Sequence, residues 1–429
     1  MRICVQGLWH LGSVTAACMA SLDHDVIGLD DSQATIARLN QGIPPLFEPG
    51  LSDLIRHGID KGRLMFSSNF IEAVKNIELL WVTYDTPVDD DDNADVDFVV
   101  SKVEAILPFL PVGTIVLVSS QLPIGTLRRL ESIAKIGFPE KDLSFACSPE
   151  NLRLGKALNV FLNPDRIVVG VRSESDQERL CSLLHSITDR IEWMSVESAE
   201  MTKHAINGFL ATSVTFANEI ASICELVGAD AKEVERGLKS EQRIGPKAYL
   251  SPGAAFAGGT LARDILFLNK IAEGEHVSTP LLCSVKKSND EHRNWVKKRL
   301  HTLFPDLTKI SVAVWGLTYK AGTDTLRRSL SVELCEWLVS KGVSVRVHDP
   351  AVKDLPPSLE KVQRTGDALE ALKGVNALVI STEWEQYKQY LAEDIVQVTP
   401  GIIVLDANKF LSSLAGKSGL RYFAVGSPG

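Results

Sequence analysis

Residues 2–30 and residues 309–349 of this chain follow one script, and that repetition limits the folds open to it. Arg2 to Gly7 is a short apolar run ending in glycine, a helical pattern follows from Gly12 to Leu22, and Asp25 to Asp30 is a second apolar run ending in an acid. Lys309 to Gly316 again runs apolar into glycine, and Val343 to Asp349 again ends in aspartate. Glu78–Val82 and Thr114–Val118 in the first region, and Ala377–Ile380 and Ile402–Leu405 in the second, are further buried-strand candidates. Strands alternating with helical stretches specify parallel, doubly wound sheets. The segments V-G-T-I-V-L-V-S-S and P-G-I-I-V-L-D-A-N add a weak internal repeat at domain scale. Between the two regions strand signals vanish. Ser198 to Val227 is helical in pattern with only Gly208 inside, and helical character returns over Thr260–Ile271 and Leu281–Leu303.

A chain of 429 residues exceeds what one core serves. The fold expected is α/β: two Rossmann-like doubly wound sheet domains, residues 1–195 and 306–429, joined by a central α-helical segment, residues 196–305. A net charge of -9 with no offsetting basic block argues against nucleic acid. The densest basic run, Lys297-Lys298-Arg299 with Lys286, Lys287 and Arg293 upstream, reads as a solvated helix face. Seven scattered cysteines without C-x-x-C spacing read as reduced, mostly buried thiols, with no disulfide framework or zinc site. The chain opens on a strand, and no apolar run approaches a membrane span of roughly 20 residues, so a cytoplasmic protein with no membrane partner is expected. Asp89 to Asp92 reads as a solvated acidic loop, because the glycine and spaced ligands of a calcium loop are missing; no metal is expected.

The turn G-L-W-H-L-G, Gly7 to Gly12, sits where a dinucleotide fingerprint belongs. Gly7, Trp9, His10, Leu11 and Gly12 are the candidate cofactor-binding residues of that turn. The usual second glycine, which lets backbone approach a pyrophosphate, is Trp9, so the phosphate contacts should be weaker or shifted. Asp30 can accept hydrogen bonds from a ribose diol and disfavours a 2′-phosphate, which selects NAD over NADP.

The most specific stretch is R-I-G-P-K-A-Y-L-S-P-G-A-A-F-A-G-G-T-L-A-R-D, Arg243 to Asp264. It resembles the active-site segment of the UDP-glucose/GDP-mannose dehydrogenase family, which ends in G-G-(S/T)-C-F-x-K-D. The resemblance extends over the whole chain: L-N-Q-G-I-P-P-L-F-E-P-G-L ending at Leu51, Thr86-Pro87, S-P-E-N-L-R-L-G-K-A-L from Ser148, F-L-N-P-D-R-I-V-V-G from Phe161, G-L-T-Y-K-A-G-T-D-T-L-R-R-S from Gly316, V-H-D-P from Val347 and T-E-W from Thr382. It implies NAD, a nucleoside-diphosphate sugar gripped between domains, and a homodimer built on the central helices. Thr86 matches a nicotinamide-side contact. Lys203 and Asn207 match a K-x-x-x-N pair whose spacing of four puts both on one helix face, where they stabilise an oxyanion at the sugar carbon. Asp264 matches a carboxylate that moves protons through water, and Glu150 matches an acid/base glutamate lining the site. Lys320 and Arg327 are the implied cationic contacts to the substrate, Tyr249, Ser251, Gly253 and Gly258 line its path, and Arg243 reaches a partner subunit's site.

Two positions depart. Thr260 stands where the family has its cysteine nucleophile, and Gln121 stands where it has a water-positioning threonine. Arg263 also replaces a lysine. A thiolate is a strong nucleophile near neutral pH and an unassisted hydroxyl is not. Both departures fall on the second oxidation and hydrolysis, while the groups for the first hydride transfer are kept. The reading is NAD-dependent oxidation of a nucleotide sugar, a UDP-sugar by preference, that stops after two electrons. Four-electron oxidation to a uronic acid without cysteine is the alternative, and a catalytically silent sugar-nucleotide-binding homologue is the second.

Overall fold

The computed structural model describes residues 1–89, 94–150, 152–257 and 259–427. Most of the acidic run and Gly258 therefore lie outside the described residues. The chain divides into two compact units, residues 1–206 and 207–429.

The first unit is built on an eight-stranded sheet in the order β3-β2-β1-β4-β5-β6-β7-β8. Its strands are β1 (Arg2–Gln6), β2 (Asp25–Leu29), β3 (Leu64–Ser67), β4 (Leu79–Val82), β5 (Ile115–Val118), β6 (Ser144–Cys147), β7 (Ile167–Val171) and β8 (Ile191–Ser195). Chain direction reverses once: β6 and β7 pair antiparallel through Cys147 and Gly170, and β7 and β8 are parallel to each other. The central strands are apolar throughout because helices cover both faces, giving two cores, one around Ile3, Val5 and Leu117 and one around Leu80, Val116 and Phe145. Helix α1 (His10–Ser21) packs so tightly that residues 11–20 are all buried.

The second unit carries a six-stranded, all-parallel sheet in the order β11-β10-β9-β12-β13-β14. Here β9 is Ser311–Trp315, β10 Ser344–His348, β11 Gln363–Arg364, β12 Ala377–Ile380, β13 Ile402–Asp406 and β14 Leu420–Phe423. Both sheets thus have the architecture expected. Among the described residues, 198–303 contains no strand.

Two expectations need amending. Helix Val196–Val227 is long and apolar enough, by length and composition, to cross a membrane, although no such run was expected. Its apolar residues serve two purposes at once: some enter the cores, and Phe209, Phe216, Ile223, Leu226 and Val227 face outward. The basic run is not wholly a solvated face either, since Arg299 turns inward to pair with Glu225 at 2.5 Å.

Candidate active site

In the first unit the glycine turn is tight for steric reasons. A Cβ on Gly12 would lie 1.9 Å from the Gly7 carbonyl oxygen, so only glycine lets α1 begin this close to β1. Trp9 has φ -73°, which any L-residue adopts, so tryptophan here strains no backbone; its ring is half exposed at the helix start. The first turn of α1 has no acidic residue and no side-chain cap, which leaves its N-terminus suited to an anion. Asp30 accepts Leu8 N–H at 2.8 Å and Ser32 N–H at 2.9 Å, keeping one lone pair per oxygen for a diol. These residues fit NAD. The side chains of His10 and Leu11 turn into the protein, so only their backbone N–H groups at the start of α1 are available to a pyrophosphate. The His10 imidazole meets the Glu48 carboxylate at 3.0 Å, and Leu11 is buried.

Glu48 is buried and also accepts Gly155 N–H and Ala157 N–H, each at 2.8 Å. Burial alone would raise its carboxyl, but the His10 bond and the two backbone donors outweigh that and hold it below the ordinary value. It thereby fastens the segment beyond β6 that carries Glu150. Lys203 donates to the Glu150 carbonyl at 2.6 Å, and Thr86 donates to the Gln121 carbonyl at 2.7 Å. Gln121, Glu150, Lys203 and Cys147 line one small cavity. Cys147 is no substitute nucleophile: burial pushes its thiol far above the range in which a thiolate forms.

In the second unit Asn207 donates a short hydrogen bond to the Asp264 carboxylate, and Asp264 is fully buried. Thr260 opens helix Thr260–Gly274 and is exposed. Among the described residues its hydroxyl makes no hydrogen bond. Gly259 before it has φ +104°, a conformation glycine tolerates. A Cβ there would lie 3.9 Å from Arg328 and 4.0 Å from the Tyr319 hydroxyl, so the loop beyond β9 lies beside Thr260.

The other substrate candidates are distributed unevenly. Lys320, Arg327 and Tyr249 are exposed, and Arg243 extends outward, bonded to Glu241 at 3.0 Å. Ser251 is instead tied to Glu235 at 2.6 Å. Gly253 N–H bonds to Asn218 and its carbonyl to His292, and Ala254 N–H bonds to Asn408 at 2.6 Å. Beside this loop a cavity of about 340 Å³ opens at the carboxyl ends of β12 and β13, lined by Ser381, Asn408, Lys286, Arg293, Lys297 and Ser331. Carboxyl ends of strands in an open α/β sheet are where such folds bind ligands. Glu48, Asn408, Arg328 and Tyr319 were missed by sequence reasoning. The E-P-G-L and Y-K motifs held two of them, but only as tokens without partners.

Comparison with known proteins accounts for this layout. Residues 1–188 match the NAD binding domain of the UDP-glucose/GDP-mannose dehydrogenase family, residues 197–291 its central domain, and residues 313–413 its UDP binding domain. The chain is 32% identical over 437 residues to a UDP-glucose 6-dehydrogenase of Rickettsia prowazekii (strain Madrid E), covering 100% of both. It is 32% identical over 445 residues to a UDP-glucose 6-dehydrogenase of Pseudomonas aeruginosa, covering 100% of this chain and 98% of that one. A solved UDP-glucose dehydrogenase from Pyrobaculum islandicum superposes with a TM-score of 0.86 at 28% identity, covering 99% of this chain and 98% of that one.

Proposed function

The chain belongs to the UDP-glucose/GDP-mannose dehydrogenase family, and from that premise we propose that it is an NAD-dependent nucleotide-sugar dehydrogenase that oxidises a UDP-sugar by two electrons. NAD supplies the hydride acceptor. Asp30 and the turn at Gly7–Gly12 hold its adenosine and pyrophosphate, and Thr86 lies on the nicotinamide side. Lys203 and Asn207 stabilise the alkoxide of the sugar carbon. Asp264 and Glu150 serve proton transfer from it, and burial of Asp264 keeps that proton path away from bulk water. Lys320, Arg327 and Tyr249 contact the nucleotide sugar, with Ser251, Gly253 and Gly258 along its path. The division into residues 1–195, 196–305 and 306–429 is retained as a reading of the three functional segments.

The observation that supports the two-electron reading is the exposed Thr260 hydroxyl, to which no base is hydrogen-bonded among the described residues. An aldehyde donates hydride only after adding a nucleophile. An inactive hydroxyl, with Gln121 where the water-positioning threonine would be, forfeits covalent capture, and loss of a nucleophile commonly slows a step by several powers of ten. A homodimer is supported by the outward apolar stripe of helix Val196–Val227 and by Arg243 extending from the surface.

The test is stoichiometry. A panel of UDP- and GDP-sugars is incubated with NAD, and the active one should release about one NADH per sugar, leaving a carbonyl that an amine reagent traps. Thr260→Ala should slow that hydride transfer by less than about threefold, since no hydrogen bond of its hydroxyl among the described residues is lost. Two NADH per sugar with a carboxylate product, abolished in Thr260→Ala, would establish threonine as the nucleophile and refute the two-electron reading.

A further inference from the structure

Glu200, Lys203 and His204 occupy one face of helix Val196–Val227, at spacings of three and four, and each reaches a different part of the loops beyond β5 and β6. Lys203 holds the Glu150 carbonyl. His204, almost wholly buried, contacts the Leu122 carbonyl through Nε2 at 3.0 Å. The Glu200 carboxylate, also buried, accepts Gly125 N–H at 2.8 Å and Leu127 N–H at 3.2 Å. Those two donors begin helix Thr126–Gly137, whose own N-cap is Gly125 and supplies no side chain. The cap comes from a residue 75 positions away in sequence. The loop so held, residues 119–125, carries Gln121.

We propose that Glu200 and His204 are positioning residues that lock the Gln121 loop onto the helix carrying Lys203. This rests on the reading of Lys203 as the oxyanion-stabilising group. An ammonium is useful there only if its distance from the neighbouring walls is fixed. Lys203 is tied to the loop beyond β6, while Glu200, one turn before it, and His204, the next residue and one turn beyond Glu200, tie the loop beyond β5 to the same helix. Removing the acceptor leaves two backbone donors short of partners at a buried helix start, and the loop gains freedom to drift.

The carboxylate also has a definite pH sign. Cys147 on β6, Glu150, Glu197, Lys203 and His204 on the loop and helix, and Arg172 beyond β7 surround it. Burial raises its pKa above the ordinary glutamate value, more than the two N–H groups lower it. The clamped carboxyl therefore binds a proton more readily than a solvated one. Protonation favours the clamp, and the penalty for burying charge appears as pH rises through the raised value.

Amide hydrogen exchange of the full-length chain tests this, read on residues 119–127 with residues 330–340 as reference and corrected for intrinsic rates. Glu200→Ala should exchange about tenfold faster or more in 119–127 and unchanged in 330–340, as expected for local loss of a buried charge-assisted pair of bonds. Glu200→Gln, which keeps one acceptor oxygen for one of the two N–H groups and turns an NH2 toward the other, should exchange at a rate between wild type and Glu200→Ala and lose its pH dependence. His204→Ala should loosen 119–123, and stands in if Glu200→Ala does not fold. With UDP-glucose and NAD, Glu200→Ala should lower kcat by about tenfold or more with the KM for NAD within about twofold, and Glu200→Gln, which keeps one of the two bonds, should recover part of it. Equal exchange in wild type and both alanine variants, or faster exchange with unaltered kcat, overturns the proposal. A wild-type chain that folds but turns over no nucleotide sugar would instead break the dehydrogenase reading, while the exchange result still decides whether the clamp exists.

Discussion

The two sheets use the same strand, glycine, helix, strand, aspartate script and end with aspartates in opposite conditions. Asp30, after β2, is partly exposed and accepts one bond on each oxygen, from Leu8 N–H after β1 and Ser32 N–H in its own turn. Asp349, after β10, is buried and saturated. It accepts Leu317, Thr318, Ala351 and Val352 N–H groups and the Trp384 indole. The first carboxylate is left able to recognise a ligand; the second organises protein. The turns differ to match. Helix α1 starts at His10, just beyond Gly7, whereas the helix after β9 starts only at Leu330, and the intervening loop presents Lys320 and Arg327. One repeat keeps a short anion-binding turn, and the other trades it for a long cationic arm.

Substitutions can break that contrast. The largest effect should come from Asp349→Ala, which strands four backbone donors: about 3 kcal/mol or more lost in urea unfolding, with NAD affinity unchanged. Asp30→Ala should do the reverse, costing roughly 1–3 kcal/mol of NAD binding by calorimetry and about 1 kcal/mol or less of stability. If both aspartates weaken NAD binding equally, the contrast fails. Trp9→Gly should tighten NAD by about 1 kcal/mol if its ring hinders approach of the pyrophosphate, and weaker binding would mean that the indole is itself a contact.

The smallest effect separates the units by pH. Glu48 in the first unit is held below the ordinary carboxyl value by His10, Gly155 and Ala157 against its burial. Its stabilisation is complete above that ordinary value and is lost as pH falls through the lowered one. Asp406, after β13, is raised by burial despite its bonds to Leu411 and Tyr422. Its penalty is present at neutral pH and is relieved as pH falls through the raised value. As pH falls below the ordinary carboxyl value, hydrogen exchange should loosen residues 152–157 before residues 407–411. The opposite order would show that other groups dominate.

The parallel strands were legible in the sequence because burial on both faces makes them continuous apolar runs, as in Ile115–Val118 and Ala377–Ile380. Ile191–Ser195 was not, since it is only partly buried and has no such run. The antiparallel junction at β6 and β7 was equally hidden, because register across a loop is set by packing and not by the strand itself. Candidate residues such as Lys203, Asn207 and Asp264 could be named from their motifs. The long-range bonds that fasten other motif segments could not. Glu48 acts 107 residues ahead on Gly155, and Asn408 acts 154 residues back on Ala254. Sequence spacing reveals partners along one helix and is silent on those brought together by the sheet.

The position next to Asp264's helix start holds an alcohol, and the chain's thiols are sequestered: Cys4, Cys18, Cys147, Cys224 and Cys335 are buried, Cys181 is partly covered, and Cys283 is exposed on helix Pro280–His292. On the proposed reading, with Thr260 at the working carbon, the exposed sulfur is that of Cys283, and Cys147 beside Gln121, Glu150 and Lys203 is buried. Iodoacetamide or dilute peroxide should mark Cys283 first, and hydride transfer that keeps running afterwards would mean that oxidants which silence a thiol-dependent enzyme spare one built on an alcohol.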